Sequence, residues 1–333
     1  MSAGGGPLVV RTVDYHAAGE PFRIVTEGLP PTPGDSVAER RAIAIGAGGS
    51  PTAPRPGRLD TVRQLLTREP RGHPGMYGGF LVPPDDGEAH LGVLFFHKDG
   101  YSTACGHGTI ALGAWAVDSG LVEAPDDGTV RVRIDVPSGR VTALVHRAGG
   151  RTGAVTFRNV PTRVVARKLP VATSVGTLEV DLADSGACYA SYAVPEVSTA
   201  ALPGLVALGR EIRAALVDRY DLYGVVFHQE LPDTPTGPSQ RNVTVFADGQ
   251  VDRSPCGSGT SARLALLAAD GLIGPGDELR HESVIGTVFT GRTVGEHPRG
   301  GLLTEVTGQA HRTGEHRFVL EEFDELGTGF LLP

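Results

Sequence analysis

Cys105-Gly106-His107-Gly108-Thr109-Ile110-Ala111-Leu112-Gly113-Ala114 and Cys256-Gly257-Ser258-Gly259-Thr260-Ser261-Ala262-Arg263-Leu264-Ala265 are two copies of one pattern, C-G-x-G-T-x-A-x-x-A. Gly120-Leu121 and Gly271-Leu272 then follow their cysteines in the same register. Each copy comes after a strand-like run (91–96 and 242–246) and an Asp-Gly turn (Asp99-Gly100 and Asp248-Gly249). The unit therefore reads strand, turn, Cys-Gly loop, helix, glycine stop. The copies start close to half a chain length apart. Two homologous halves about a pseudo-two-fold axis are the simplest arrangement, and such an axis brings two like helix ends face to face.

Residues 110–117 are apolar nearly all round and include Trp115, and residues 262–269 are apolar except for Arg263. A helix apolar on every side is a buried helix, so strands are expected to wrap each one. Its first N–H groups have no carbonyl of their own and need other partners. Ordinary core packing would explain the small residues of these helices. It would not explain a cysteine duplicated at both starts.

The rest of the chain fits a two-part scheme. Its 333 residues suit two domains of roughly 150 residues each. The expected division is 7–160 for the half with Cys105, completed by about 315–333, and 161–314 for the half with Cys256. Glycine (47) and proline (25) are abundant, which predicts many turns and short strands. Strands are expected at 7–13, 22–26, 80–82, 91–97, 130–136, 140–146, 154–157, 164–166, 177–181, 189–194, 224–228, 242–246, 283–289, 302–306 and 316–320. Residues 14–21 read as a loop, and 46–58 as a Gly/Pro-rich loop. Helices are expected after the cap residue Ser36, at 59–67 and near 200–220. Mostly short strands with few helices indicate two strand-rich α+β domains.

A net charge of −8 argues against nucleic acid or an anionic membrane as partner, and no apolar run reaches the length of a membrane span. The first six residues carry neither the basic start nor the apolar core of a secretory signal, so a cytoplasmic protein is expected. A homodimer is compatible with the sequence. The three cysteines, Cys105, Cys188 and Cys256, form no C-x-x-C pair and read as reduced thiols. Cys188 sits in a strand-like run and reads as a small buried hydrophobe.

Cys105 and Cys256 at helix starts suggest acid/base chemistry. A free thiol has a pKa of about 8.5, and a helix N-terminus favours its anion by ~0.3–2 kcal/mol. That predicts one thiol usable as a base near pH 7 to 8. Two facing thiols cannot both ionise cheaply, so one is thiolate while the other keeps its proton. This is the state a two-base inversion at a carbon acid requires. The N–H groups near Gly106, His107, Gly257 and Ser258 would hold a carboxylate and the charge that develops on proton loss. His107 adds a hydrogen bond, and Asp252 is placed to bind an ammonium group. Zinc through Cys105, His107 and Cys256 lacks the usual paired ligand spacing, so no metal is expected. A phosphate loop needs a lysine after Gly259 and has none. An inert amino-acid-binding protein is the non-enzymatic alternative.

The segments Ala104-Cys105-Gly106-His107-Gly108-Thr109 and Asp252-Arg253-Ser254-Pro255-Cys256-Gly257-Ser258-Gly259 resemble the two signatures of the proline racemase family. So do Asp14-x-His16-x-x-Gly19-Glu20-Pro21, Glu69-Pro70-Arg71-Gly72-His73 with Met76-Tyr77-Gly78, Gly286-Thr287-Val288-Phe289, and Gly308-Gln309-Ala310-His311. The resemblance implies two domains of the diaminopimelate-epimerase type, each a strand-rich shell around a central helix, with the site between them and no cofactor. It implies Cys105 and Cys256 as the acid/base pair, Gly106, His107, Gly257 and Ser258 on the carboxylate side, and Asp252 at the amino group. The implied substrate is a small amino acid of the proline or hydroxyproline type. The expected activity is proline racemisation or 4-hydroxyproline 2-epimerisation, with trans-3-hydroxy-L-proline dehydration as the alternative. Departures from the family pattern are Ala104 for Met, Phe22 for Thr, Ser258 for the Thr frequent in racemases, and Ser185 and Cys188 within a Gly-Gly-x-Phe-Tyr strand. The run at 245–248 with Gly257-Ser258-Gly259 is closer to the dehydratase branch, which usually carries Thr in place of the second cysteine.

Overall fold

The computed structural model describes residues 7–46, 57–246 and 249–332. Most of the 46–58 stretch, and Asp248 of the second Asp-Gly turn, lie outside these residues.

A similar order of elements is laid down twice, each pass ending in a core helix followed by three strands. In the first pass, β1 (Leu8–Ala17) and β2 (Glu20–Glu27) form an antiparallel hairpin, and α1 (Val37–Ala44) and α2 (Arg58–Thr67) lead to β3 (Gly78–Val82), parallel to β2. A parallel pair needs such a crossover. Next come β4 (Leu91–His97), antiparallel to β3, the short β5 (Gly100–Tyr101) and the core helix α3 (Gly106–Asp118). β6 (Gly128–Val136) runs parallel to β4, and β7 (Gly139–Ala148) and β8 (Arg151–Arg158) complete a meander.

β9 (Arg163–Thr173) begins the second pass as the neighbour of β10 (Gly176–Asp184), which forms a hairpin with β11 (Cys188–Ala193). α4 (Leu202–Tyr220) crosses to β12 (Leu222–Thr234), parallel to β11, and β13 (Gly237–Phe246) returns antiparallel. The second core helix, α5 (Gly257–Ala269), is followed by β14 (Leu279–Ser283), parallel to β13, then β15 (Val288–Glu296) and β16 (Leu302–Leu320). The repeat thus reaches well beyond the cysteine pattern. β16 pairs with β15 and β8 through its first half and with β1 from Ala310 to Leu320, which closes the first shell.

Each shell encloses its helix: α3 packs on β1, β2, β6, β7, β8 and β16, and α5 on β9, β10, β11, β15 and β16. Residues 106–117 of α3 are all buried. Each Ile or Leu so placed contributes about 1.5–3 kcal/mol, enough to fix these helices in their shells. The fold class is α+β, as expected, and among the described residues no helix is long and apolar enough to cross a membrane.

Three local expectations change. The expected loop at 14–21 is the tip of the β1–β2 hairpin, because Ala18 (φ 51°) and Gly19 (φ 96°) supply the left-handed pair of a two-residue turn. The expected strand at 283–289 is broken by Gly286 at φ 84°, with Ser283 Oγ accepting from Thr287 N at 3.2 Å. The strands expected at 302–306 and 316–320 are one continuous strand. Ser36 caps α1 as expected, accepting from Glu39 N at 3.1 Å.

Candidate active site

The two Cys-Gly turns meet. A β-carbon on Gly106 would sit 2.5 Å from Gly257 Cα, and one on Gly257 would sit 2.7 Å from Gly106 Cα. Only two residues without side chains allow helix starts to approach this closely. α3 and α5 therefore present their N-termini side by side, with the two cysteines flanking the junction.

Both cysteines do the same local work. The Cys105 sulfur accepts from Gly108 N at 3.3 Å and the Cys256 sulfur from Gly259 N at 3.4 Å. The repeated threonines lock the turns, Thr109 Oγ1 donating to Cys105 O at 2.8 Å and Thr260 Oγ1 to Cys256 O at 2.7 Å. The N–H groups of Gly106, His107, Gly257 and Ser258 fall in the first turns, where a helix offers them no carbonyl. One asymmetry separates the copies: Cys105 is extended at φ −156°, whereas Cys256 is held at φ 62°, ψ 106°. A non-glycine residue in that region costs of order 1–3 kcal/mol and persists only where the surroundings impose it.

Asp252 imposes it. Its Oδ1 accepts from Ser254 N and Ser254 Oγ, both at 2.8 Å, and Ser254 Oγ in turn accepts from Cys256 N at 3.1 Å. Asp252 is 0% exposed, and its Oδ2 has no hydrogen-bond partner among the described residues. A buried carboxylate oxygen left unbonded is costly unless a cation arrives. Glu20, from the other half, reaches the same corner. Its Oε2 accepts from Arg253 N at 2.8 Å and pairs with Arg253 Nε at 3.0 Å. Burial, then the Asp252 charge, pushes the Glu20 carboxyl well above its ordinary range, and burial raises Asp252 as well. The two carboxyls form one acidic corner that a positive charge would relieve.

His107 lies 3.5 Å through Nδ1 from the Cys105 sulfur. Burial, with Arg253 adding to it, pushes its imidazole down to about 3, so the ring is neutral. Ser258 commits its hydroxyl to Tyr189 Oη at 2.7 Å and its carbonyl to Ser185 Oγ at 2.9 Å, leaving its N–H for the site. The thiols depart from expectation. Burial pushes Cys105 well up, with Asp252, Cys256 and Glu20 adding to the shift against the Gly108 N–H. Burial followed by Asp252 raises Cys256. Desolvation exceeds the helix-end effect, which favours the protonated form of both buried sulfurs. Cys188 lies in β11 beside Tyr189, and burial pushes its thiol up to about 12.

Sequence reasoning missed Glu20, Ser102, Ser254, Tyr77, Tyr189 and Tyr223. Tyr77 bonds Ser102 and Tyr223, and Tyr189 takes the Cys256 thiol at 3.9 Å. Glu20, Ser254 and Tyr77 lay inside motifs already singled out. Tyr189 and Tyr223 carried only a strand pattern. Among the described residues no group of three or more His, Cys, Asp or Glu is placed to hold a metal ion.

Comparison with known proteins identifies the family. The chain is 41% identical to a trans-3-hydroxy-L-proline dehydratase of Azospirillum brasilense, over 96% of this chain and 97% of the relative. It is 41% identical, with the same two coverages, to a 3-hydroxyproline 2-epimerase of Burkholderia multivorans. The crystal structure of a hydroxyproline epimerase from Agrobacterium vitis with bound trans-4-hydroxy-L-proline superposes with a TM-score of 0.87 at 27% identity, covering 99% of this chain and 96% of that one. With the proline racemase family model matching residues 12–331, the chain is an enzyme of the proline racemase family.

Proposed function

We propose that this enzyme removes the α-proton of trans-3-hydroxy-L-proline and expels the 3-hydroxyl as water. The observation that carries the reading is the junction of the two helix starts at Gly106 and Gly257, with a thiol on each flank and the unbonded Asp252 Oδ2 beside it. The substrate carboxylate takes the first-turn N–H groups of both helices. The ammonium takes Asp252, next to Glu20. Its positive charge offsets the carboxylates that help keep the thiols protonated, so substrate binding itself favours a thiolate. The thiolate takes the α-proton, and the carbanion charge spreads onto the carboxylate, where the helix ends stabilise it. The relatives' activities support 3-hydroxyproline as substrate, in place of the proline or 4-hydroxyproline expected from sequence.

The stereochemistry of that substrate bears on the thiols. In the trans isomer the hydroxyl lies opposite the carboxylate, so it shares a ring face with the α-hydrogen. One thiol on that face can take the proton and return it to the departing oxygen. Dehydration therefore needs a single cysteine. The second buried thiol favours a second reading, 2-epimerisation, in which the opposite sulfur reprotonates the carbanion.

Incubation of trans-3-hydroxy-L-proline in D₂O, with o-aminobenzaldehyde trapping and polarimetry, tests both. Dehydration gives a trapped cyclic imine. Epimerisation gives α-deuterated product with changed rotation and no imine. Absence of exchange, imine and rotation change would rule out either activity.

A further inference from the structure

A path of side chains leads from one sulfur to the other along the wall of the site. It starts with Cys256 Sγ, 3.9 Å from Tyr189 Oη. The Tyr189 ring meets Tyr223 edge-on at 5.7 Å between centroids. Tyr223 Oη bonds Tyr77 Oη at 2.7 Å, and Tyr77 Oη also bonds Ser102 Oγ. The Tyr77 ring then meets His107 edge-on at 5.1 Å, and His107 Nδ1 lies 3.5 Å from Cys105 Sγ. Burial holds Tyr77, Tyr189 and Tyr223 above the ordinary phenol range, so each remains a neutral O–H.

The tetrahedral carbon decides what this wall faces. Of the four bonds at Cα, one leads to the carboxylate at the helix ends and one to nitrogen at Asp252. One leads to the hydrogen at a thiol. In the pose proposed above, the fourth, to C3 of the ring, is left for the wall where Tyr77, Ser102 and Tyr223 cluster their hydroxyls. The adjacent cavity, lined by Glu20, Tyr77, Tyr223, Phe246 and Arg253 among others, measures only about 30 Å³. The Tyr77–Tyr223 bond joins the chain just before β3 to β12.

We propose that the Tyr223 hydroxyl, braced by Tyr77 and Ser102, receives the 3-hydroxyl of the substrate. It thereby selects the hydroxylated ring and stabilises the oxygen as it leaves. This rests on the functional reading above. The Cα–H electron pair becomes the Cα–C3 double bond, the C3–O pair departs with oxygen, and the proton taken by the thiol on the same ring face completes the water. The neutral phenol donates a hydrogen bond to that oxygen as its charge grows. A site built to bond a substrate hydroxyl discriminates strongly against the analogue lacking one.

The test compares wild type with Tyr223→Phe and Ser102→Ala on two probes. These are kcat/KM for trans-3-hydroxy-L-proline and the inhibition constant of pyrrole-2-carboxylate, a planar ring acid with no hydroxyl. Tyr223→Phe is expected to lower kcat/KM by about tenfold to a hundredfold, the size of one hydrogen bond to a charged oxygen, with the inhibition constant within about twofold. Ser102→Ala changes both probes in the same pattern with a smaller loss. An unchanged kcat/KM, or an inhibition constant that worsens by the same factor, overturns the assignment and makes the cluster structural. If wild type turns over no 3-hydroxyproline, the functional reading itself fails, and that outcome is visible before any variant is made.

Discussion

Replacement of Gly106 by alanine tests the geometry on which the site depends. The added carbon would lie 2.5 Å from Gly257 Cα, 2.7 Å from Gly257 C and 2.7 Å from Ser258 N. Carbon contacts are ordinarily about 3.5–4.0 Å, so the shortfall is about 1 Å. All three neighbours are backbone atoms at the start of the opposite helix, and no rotamer change can relieve them. The two helix ends must move apart. A displacement of about 1 Å at a reacting site costs on the order of 10²-fold in rate, and overpacking of this kind costs about 1–3 kcal/mol of stability. Gly106→Ala should therefore lose α-deuterium exchange by about a hundredfold, with a lowered but still cooperative thermal transition. Gly204→Ala, on α4 with nothing within 4 Å of the added carbon, is the control and should keep wild-type turnover. A Gly106→Ala enzyme with wild-type exchange would show that the helix starts do not need to touch, and the argument from their junction would fail.

The remaining predictions concern the thiols and the acidic corner. Cys105→Ser should abolish exchange, epimerisation and dehydration alike, because Cys105 lies on the side of His107, Tyr77 and the hydroxyl cluster. Cys256→Ser should lose epimerisation by about 10²–10⁴-fold, the usual worth of a general acid or base, while keeping dehydration within about tenfold; the reverse pattern, read by imine trapping and polarimetry, would assign the thiols the other way. Cys188→Ser should leave turnover unchanged and cost about 1–3 kcal/mol in urea unfolding, the penalty for burying a hydroxyl in an apolar place; loss of turnover with intact folding would overturn its assignment as core. Glu20 carries a pH signature. Its folded pKa is raised above the ordinary 4.5, so the native state holds a proton that the unfolded chain has lost. The associated stability is fully present below about pH 4.5 and declines as pH rises towards the native value, by up to about 1.4 kcal/mol per pH unit. Glu20→Gln should remove that decline, so urea unfolding of wild type and variant should diverge as pH rises above about 4.5; parallel curves would refute the raised carboxyl.

Much of the fold was legible because the duplicated pattern is a local signal with a global consequence. Cys-Gly-x-Gly-Thr followed by an apolar helix implies burial on every side, and only a surrounding shell supplies that. The elements that were misread are those decided by partners distant in sequence. The chain at 14–21 carries glycine and proline and reads as a loop, yet β16 pairs with β1 as far as Ala17 and draws it into the sheet. Residues 283–289 have strand composition, but Gly286 and the Ser283 hydroxyl turn the chain inside them. Tyr189 and Tyr223 gave no sign of a role, since an aromatic residue in a strand is ordinary core material until another hydroxyl is found opposite it.

The thiols show why motif chemistry needs the magnitude of burial beside it. A helix end is worth ~0.3–2 kcal/mol to an anion, about one pH unit for a thiol, whereas full burial moves an ionisable group by up to 3–5 units. With Cys105 and Cys256 at 5% and 3% exposure, the larger effect wins and both stay protonated. The buried Asp252 carboxylate beside them pushes in the same direction. A substrate that brings its own ammonium changes that balance at the corner where Asp252 Oδ2 is unbonded. In the reaction proposed above, that ammonium would add a positive charge beside Asp252 as the α-hydrogen reaches a thiol. On the proposed reading, the site is activated by the charge of the molecule it transforms.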